Sequence, residues 1–107
     1  MTFTALLTAL NSTGIKFTAY RWDKAPTPPY GTAQLEGGSD SAAGDDTIIY
    51  QAVRGSIDLY APEHSSTWPQ AVQAAINGSV AWRLNSIQYE DAQRLVHYEW
   101  IFELEGL

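Results

Sequence analysis

The order and periodicity of this chain predict an α+β fold, two helices packed on a mainly antiparallel β-sheet, in one domain spanning residues 1–107. Three observations carry that expectation. Two short stretches place apolar residues at helical spacing, several others alternate apolar with polar residues, and 107 residues supply one modest core but not two. With 45% hydrophobic and 17% charged residues, the composition is that of a folded chain.

Phe3, Leu6, Leu7 and Leu10 stand at i, i+3, i+4 and i+7, which predicts a first helix with Thr4, Thr8 and Asn11 off its apolar face. Gly14 is its natural stop, since glycine takes the left-handed C-terminal position without steric cost. Ile15, Phe17 and Ala19 alternate with Lys16, Thr18 and Tyr20 as a strand does. The segment Ala25-Pro26-Thr27-Pro28-Pro29 lacks a row of backbone donors and reads as a stiff connector. It leads into a short strand, about Tyr30 to Leu35. From Glu36 to Asp46 the chain is Gly, Ser and Asp with almost nothing to bury, which predicts a mobile loop long for so small a domain.

Ile48 to Tyr60 reads as one long strand, bent at Gly55, with Val53, Gly55, Ile57 and Leu59 on one face and Arg54, Ser56, Asp58 and Tyr60 on the other. Pro62 ends it. Ser65, Ser66 or Thr67 is positioned to cap a second helix whose apolar face is Trp68, Val72, Ala75 and Ile76, closed by Asn77-Gly78. Val80, Trp82 and Leu84 alternate with Ala81, Arg83 and Asn85, and a separate short polar strand is expected at Ile87 to Glu90. Last comes the strongest pattern: Val96, Tyr98, Trp100, Phe102 and Leu104 face one way, so a one-residue slip would expose five large apolar groups.

The charge balance narrows function. Six Lys plus Arg against twelve Asp plus Glu give −6, and the few cations are dispersed. Specific nucleic-acid binding and an anionic membrane surface both require clustered positive charge. The absence of cysteine excludes disulfides, thiolate metal sites and a cysteine nucleophile. No run of eighteen apolar residues occurs, and Met1-Thr2-Phe3-Thr4 is not a basic region ahead of an apolar one, so a chain made and kept in a cytoplasm is expected.

Chemistry-bearing patterns are sparse. Glu36, Asp40, Asp45 and Asp46 lack the alternate-position spacing of a calcium loop, and solvated charge is the expected role. Glu99, Glu103 and Glu105 share one face of the last strand, neighbours two apart lying about 7 Å from each other. A carboxylate-based hydrolase would need one of them in an apolar pocket, whereas an acidic stripe facing water or a lumen needs nothing further. His64 and His97 are the only imidazoles, and no nucleophile elbow, phosphate loop or dinucleotide fingerprint is present. The expectation is a protein that is no enzyme and carries no cofactor or metal. Trp68, Trp82 and Trp100 fit core positions; Trp22, beside Arg21 and Asp23, fits either an interface or packing under the connector.

The linear order of these features resembles the small tail-completion and tail-terminator proteins of long, non-contractile-tailed bacteriophages. The residues that carry the resemblance are the N-terminal helix, Phe17 and Tyr20, Pro26-Thr27-Pro28-Pro29-Tyr30, Gly38-Ser39-Asp40, Ile57-Asp58-Leu59-Tyr60 and Tyr98-Glu99-Trp100-Ile101-Phe102-Glu103. They span nearly the whole chain. The resemblance implies a structural virion protein at the top of the tail. Several members form a hexameric ring that caps the head-proximal end of the tail tube, ends its polymerisation and bridges to the head-closure complex. Here Ala61-Pro62-Glu63-His64 stands where relatives have a Lys-rich stretch, so no basic contact is expected there.

The expected partners are therefore other copies of the chain, a tail-tube protein and a head-closure or connector protein, with DNA passing through the lumen non-specifically. Trp22, Glu36, Gly37, Gly38, Ser39, Asp40, Asp45 and Asp46 are the candidate interface residues; Glu99, Glu103 and Glu105 are the candidate lumen residues. Six copies at −6 each carry −36, which repels phosphates. A head-to-tail stopper or adaptor differs only in the ring it contacts. A ligand-binding domain would need an apolar pocket.

Overall fold

A computed structural model of the protein describes residues 1–38, 43–44, 47–48 and 52–105. The elements run α1 (Phe3–Asn11), β1 (Lys16–Ala19), β2 (Tyr30–Gly38), β3 (Ala43–Gly44), β4 (Thr47–Ile48), β5 (Val53–Ala61), α2 (Thr67–Ile76), β6 (Ala81–Glu90) and β7 (Leu95–Leu104). Five strands form one sheet in the order β1-β2-β5-β7-β6, antiparallel except for the parallel β1/β2 pair, and β3 pairs with β4 apart from it. The protein is thus an α+β domain.

α1 begins where Thr2 Oγ1 accepts the Ala5 amide at 3.1 Å, satisfying one of the donors a helix start leaves free. Its Leu6 and Leu10 are buried, and Gly14 follows with φ +90°. Asn11, predicted only as a polar position, does more. Its amide bonds both Phe17 backbone groups, accepting the N–H at 2.9 Å and donating to the carbonyl at 3.1 Å, so it imitates a neighbouring strand and ties α1 to β1. Parallel strands need a crossover, and the Pro-rich connector supplies it between β1 and β2.

Three boundaries differ from the sequence expectation. β2 runs on through Gly38, so Glu36, Gly37 and Gly38 are strand residues and not the start of a loop. Backbone pairing asks nothing of side chains: Gly37 stands opposite Arg54 and Gly38 opposite Val53, with Glu36 as the extra residue of a bulge. The expected bend at Gly55 therefore has its irregularity on the facing strand. The rest of the expected loop, apart from β3, lies outside the described residues. The long strand from Ile48 is likewise two, since Thr47–Ile48 pairs back on Ala43–Gly44 and β5 starts at Val53. Finally, the two strands expected over 80–90 are one, β6, with an extra residue at Asn85 between the Leu84/Trp100 and Ser86/Glu99 pairs. That bulge shifts the apolar alternation by one position, which in sequence looks like a break.

Both helices cover one face of the sheet. Leu6, Leu10, Val72 and Ile76 pack on Phe17, Ala33, Ile57, Leu59, Tyr98, Trp100, Phe102 and Leu104, all buried. The alternation read for β7 holds along its length. Trp100 is fully buried and its indole N–H donates to Gln73 Oε1 of α2 at 3.1 Å. Gly31 and Gly55 are obligatory where strands approach closely: a Cβ at Gly31 would meet the Phe17 ring and the Asp58 carbonyl, and one at Gly55 the Gln34 carbonyl and the Phe102 ring. Ser66 starts α2 without a side-chain cap; Ser65 Oγ accepts the Thr67 amide instead.

Candidate functional site

The face of the sheet away from the helices carries the charged side chains of β5, β6 and β7, and register brings several of them together. β5 and β7 set Tyr60 opposite His97 and Asp58 opposite Glu99. His97 lies diagonal to Asp58, and its Nε2 is 2.6 Å from Asp58 Oδ1 while its Nδ1 is 3.1 Å from Glu90 Oε1. The imidazole stacks on Tyr60 with ring centres 4.5 Å apart, and Tyr60 stacks on Tyr30 at 5.3 Å. The Asp58 hydrogen bond, opposed by partial burial and aided by the charges of Asp58 and Glu90, raises the His97 pKa. Burial first, then Asp58, pushes the Tyr60 phenol up to about 12. The imidazole, held between two carboxylates, links β5, β6 and β7 across their polar side.

That cluster was not legible as a unit. The sequence sets Asp58 opposite the Ile57/Leu59 face and His97 between the inward residues Val96 and Tyr98, but their diagonal meeting depends on the β5/β7 register, which local periodicity does not contain. It has no open imidazole nitrogen to act as a base, because both face carboxylates. Among the described residues no three His, Cys, Asp or Glu side chains are placed to hold a metal ion.

The candidate residues from sequence are spread over different regions. Trp22 is half-buried and donates its indole N–H to the Gly31 carbonyl at 2.9 Å, pinning the connector against β2. It also borders a groove of about 260 Å³ with Tyr20, Arg21, Tyr30 and Tyr60, so the packing role is present and one side still faces the surface. Glu36, Gly37 and Gly38 are exposed at the end of β2. Ser39, Asp40, Asp45 and Asp46 lie outside the described residues.

Glu99 accepts the Asn85 side-chain amide at 2.7 Å, and Arg83 donates to the same Asn85 at 2.8 Å. Glu103 stands opposite Arg54 of β5 and Ala81 of β6. Of these two carboxylates of β7, Glu103 thus has a cation directly opposite, whereas Glu99 stands opposite Asp58 and is held through Asn85. Glu105 lies beyond the end of β7, a correction to its expected place on that strand's face, because β7 stops at Leu104. Glu103 and Glu105 border an open cleft of about 530 Å³ with Met1, Ala52 and Val80. Both are exposed there, whereas a carboxyl group kept protonated for acid catalysis needs apolar enclosure.

The sheet's two edges differ. β1 is four residues long; β6 is ten. Among the described residues each pairs on one side only. On its helix side β6 leaves Leu84, Ile87 and Tyr89 at 41%, 50% and 60% exposure. Leu84 and Ile87 also border a groove of about 200 Å³ against Pro69, Gln70 and Gln73 of α2. Sequence reading missed this strip, taking Leu84 and Ile87 for parts of separate strands. No helix among the described residues is long and apolar enough to cross a membrane. In comparisons with known proteins, the chain matches no protein-family model and no curated protein.

Proposed function

We propose that this protein is a structural component of a bacteriophage tail that assembles into a ring on the head-proximal end of the tail tube, ends its growth and bridges to the head-closure complex. The linear order of its features, from the N-terminal helix to Tyr98-Glu99-Trp100-Ile101-Phe102-Glu103, supports the reading. The structural observation that favours it most is the pair of unlike sheet edges, β1 and β6, on opposite sides of one five-stranded sheet. A ring closes by joining two different surfaces of one chain head to tail, and unpaired edges are ready-made surfaces of that kind.

In such a ring the uncovered sheet face, with Asp58, Glu90, Glu99 and Glu103 among Arg54, Arg83 and Lys16, is available to the lumen or to a partner. The exposed end of β2, at Glu36 to Gly38, is the candidate docking point for the tube or closure protein.

The test is assembly in vitro. Tail-tube protein is polymerised with and without the chain and imaged. Tubes bearing a ring at one end and shortened in proportion to added protein are the expected result; unchanged length with bare ends would overturn the reading. Charge reversal at Glu99, Glu103 and Glu105 tests the lumen separately, with slower DNA delivery expected from otherwise intact particles.

A further inference from the structure

The β6 edge is complementary to itself. Its outward side chains are Arg83, Ser86, Gln88 and Glu90 on the polar face and Leu84, Ile87 and Tyr89 on the helix face, with the bulge residue Asn85 between. Two antiparallel copies centred on Ile87 set Ile87 against Ile87, Ser86 against Gln88, Leu84 against Tyr89 and Arg83 against Glu90. Every residue then meets one on its own face, provided the bulge is skipped in each strand as it is against β7. A one-position slip sets polar-face residues against helix-face residues. Centring on Ser86 keeps the faces matched but leaves Arg83 opposite Gln88 and Glu90 opposite Ala81. Only the Ile87 centre pairs both charges, and two-fold symmetry makes the Arg83/Glu90 pair occur twice.

We infer that β6 is the seam of a two-fold homodimer, in which two five-stranded sheets join edge to edge about Ile87. The occupant of the exposed strip is thus the same strip of a second copy. Backbone hydrogen bonds supply the attraction, the six apolar side chains along the seam leave water, and the Arg83/Glu90 pairs choose the register. Glu90 keeps its His97 contact on one side and meets Arg83 of the second copy on the other.

A consequence for assembly rests on the tail reading. A two-fold pair cannot use the same edge in a head-to-tail ring, so the pair is a reserve form that must open at a tube end.

Sedimentation over a concentration series, with two charge variants and one crosslink, tests the seam. Wild-type protein is expected to pass from monomer to dimer. Arg83→Glu, whose only side-chain hydrogen bond described is to Asn85, is expected to weaken the dimer about tenfold, and Glu90→Arg similarly. The double variant R83E/E90R should return to within about threefold of wild type. Because the chain has no cysteine, Ile87→Cys introduces a single thiol that meets itself at the two-fold, where directly opposed Cβ atoms lie about 4.5–5.5 Å apart. It should crosslink under mild oxidation. Arg83→Cys, about 20 Å from its own copy in this register, should not.

A monomer at every concentration, a dimer indifferent to both charge variants, or a folded Ile87→Cys protein that does not crosslink would each overturn the dimer. Crosslinked Ile87→Cys should fail to cap tubes and should cap them once reduced. Crosslinking with no capping by either form leaves the dimer standing and removes the tail reading. Capping without crosslinking does the reverse.

Discussion

The two faces of one sheet hold together by different means. On the covered face, Trp100, Tyr98, Phe102, Ile57 and Leu59 are packed under α1 and α2 to near-zero exposure, so each change of volume is felt. The uncovered face is organised by polar contacts across strands: Tyr30 on Tyr60 on His97, His97 between Asp58 and Glu90, and Arg83 through Asn85 to Glu99. The first face is close apolar packing. The second is a set of small, directional contacts that depend on register. Stability should therefore reside mostly on the covered side, and pH sensitivity on the other.

The largest expected effect follows from Trp100, fully buried and hydrogen-bonded to Gln73. Trp100→Ala leaves a cavity and an unpaired amide, and should cost about 3–5 kcal/mol in urea unfolding. Gly55→Ala comes next. Its added methyl has to enter the space of the Gln34 backbone and the Phe102 ring, and overpacking of this kind costs about 1–3 kcal/mol. A cost below that of an exposed Gly→Ala change would show that β2 and β5 separate more easily than their packing implies.

Two neighbouring strands mark what the sequence reveals and what it does not. The β7 pattern from Val96 to Leu104 announces the covered face, because burial imposes a period of two on the residues themselves. β6 is the opposite case. Its apolar residues slip phase at Asn85, since a bulge is a property of two paired strands, and the resulting exposed strip of Leu84, Ile87 and Tyr89 is invisible until β7 is beside it. The same reason hides the His97 cluster: residues 39 positions apart meet only through register. Glu36 to Gly38 show the converse, a sequence with nothing to bury that is nonetheless a strand, because its backbone finds β5.

The His97 cluster gives the middle effect and the one with a pH signature. Its pKa is raised above the unfolded value of about 6.5, so protonation favours the folded state. The contribution is complete below the unfolded pKa and is lost as pH rises through the folded one. Asp58→Asn removes the largest cause of the shift. The His97 titration followed by NMR should move down, and the stability gap between wild type and variant, about 1–3 kcal/mol at its widest, should narrow at alkaline pH. A gap that widens with pH would show that neutral His97 is the form the fold selects. Tyr60 adds a second, higher step in the same direction: with its pKa raised to about 12, folding favours the neutral phenol, and stability should fall as pH climbs from about 10 through that value.

The smallest effect belongs to Glu99. Its carboxylate accepts from Asn85, which Arg83 also holds, on an exposed stretch of the uncovered face. Exposed contacts of this kind recover most of their energy from water when broken, so Glu99→Gln should change the urea midpoint by less than about 0.5 kcal/mol. A loss several times larger would mean that the Arg83–Asn85–Glu99 chain clamps the β6 bulge in place. In that case the variant should also raise amide exchange at Leu84 to Ile87, where the extra residue interrupts the ladder, while exchange at the Trp100 end of α2 stays unchanged. The face that looks dispensable for stability would then be the one that sets the shape of the sheet's longer edge.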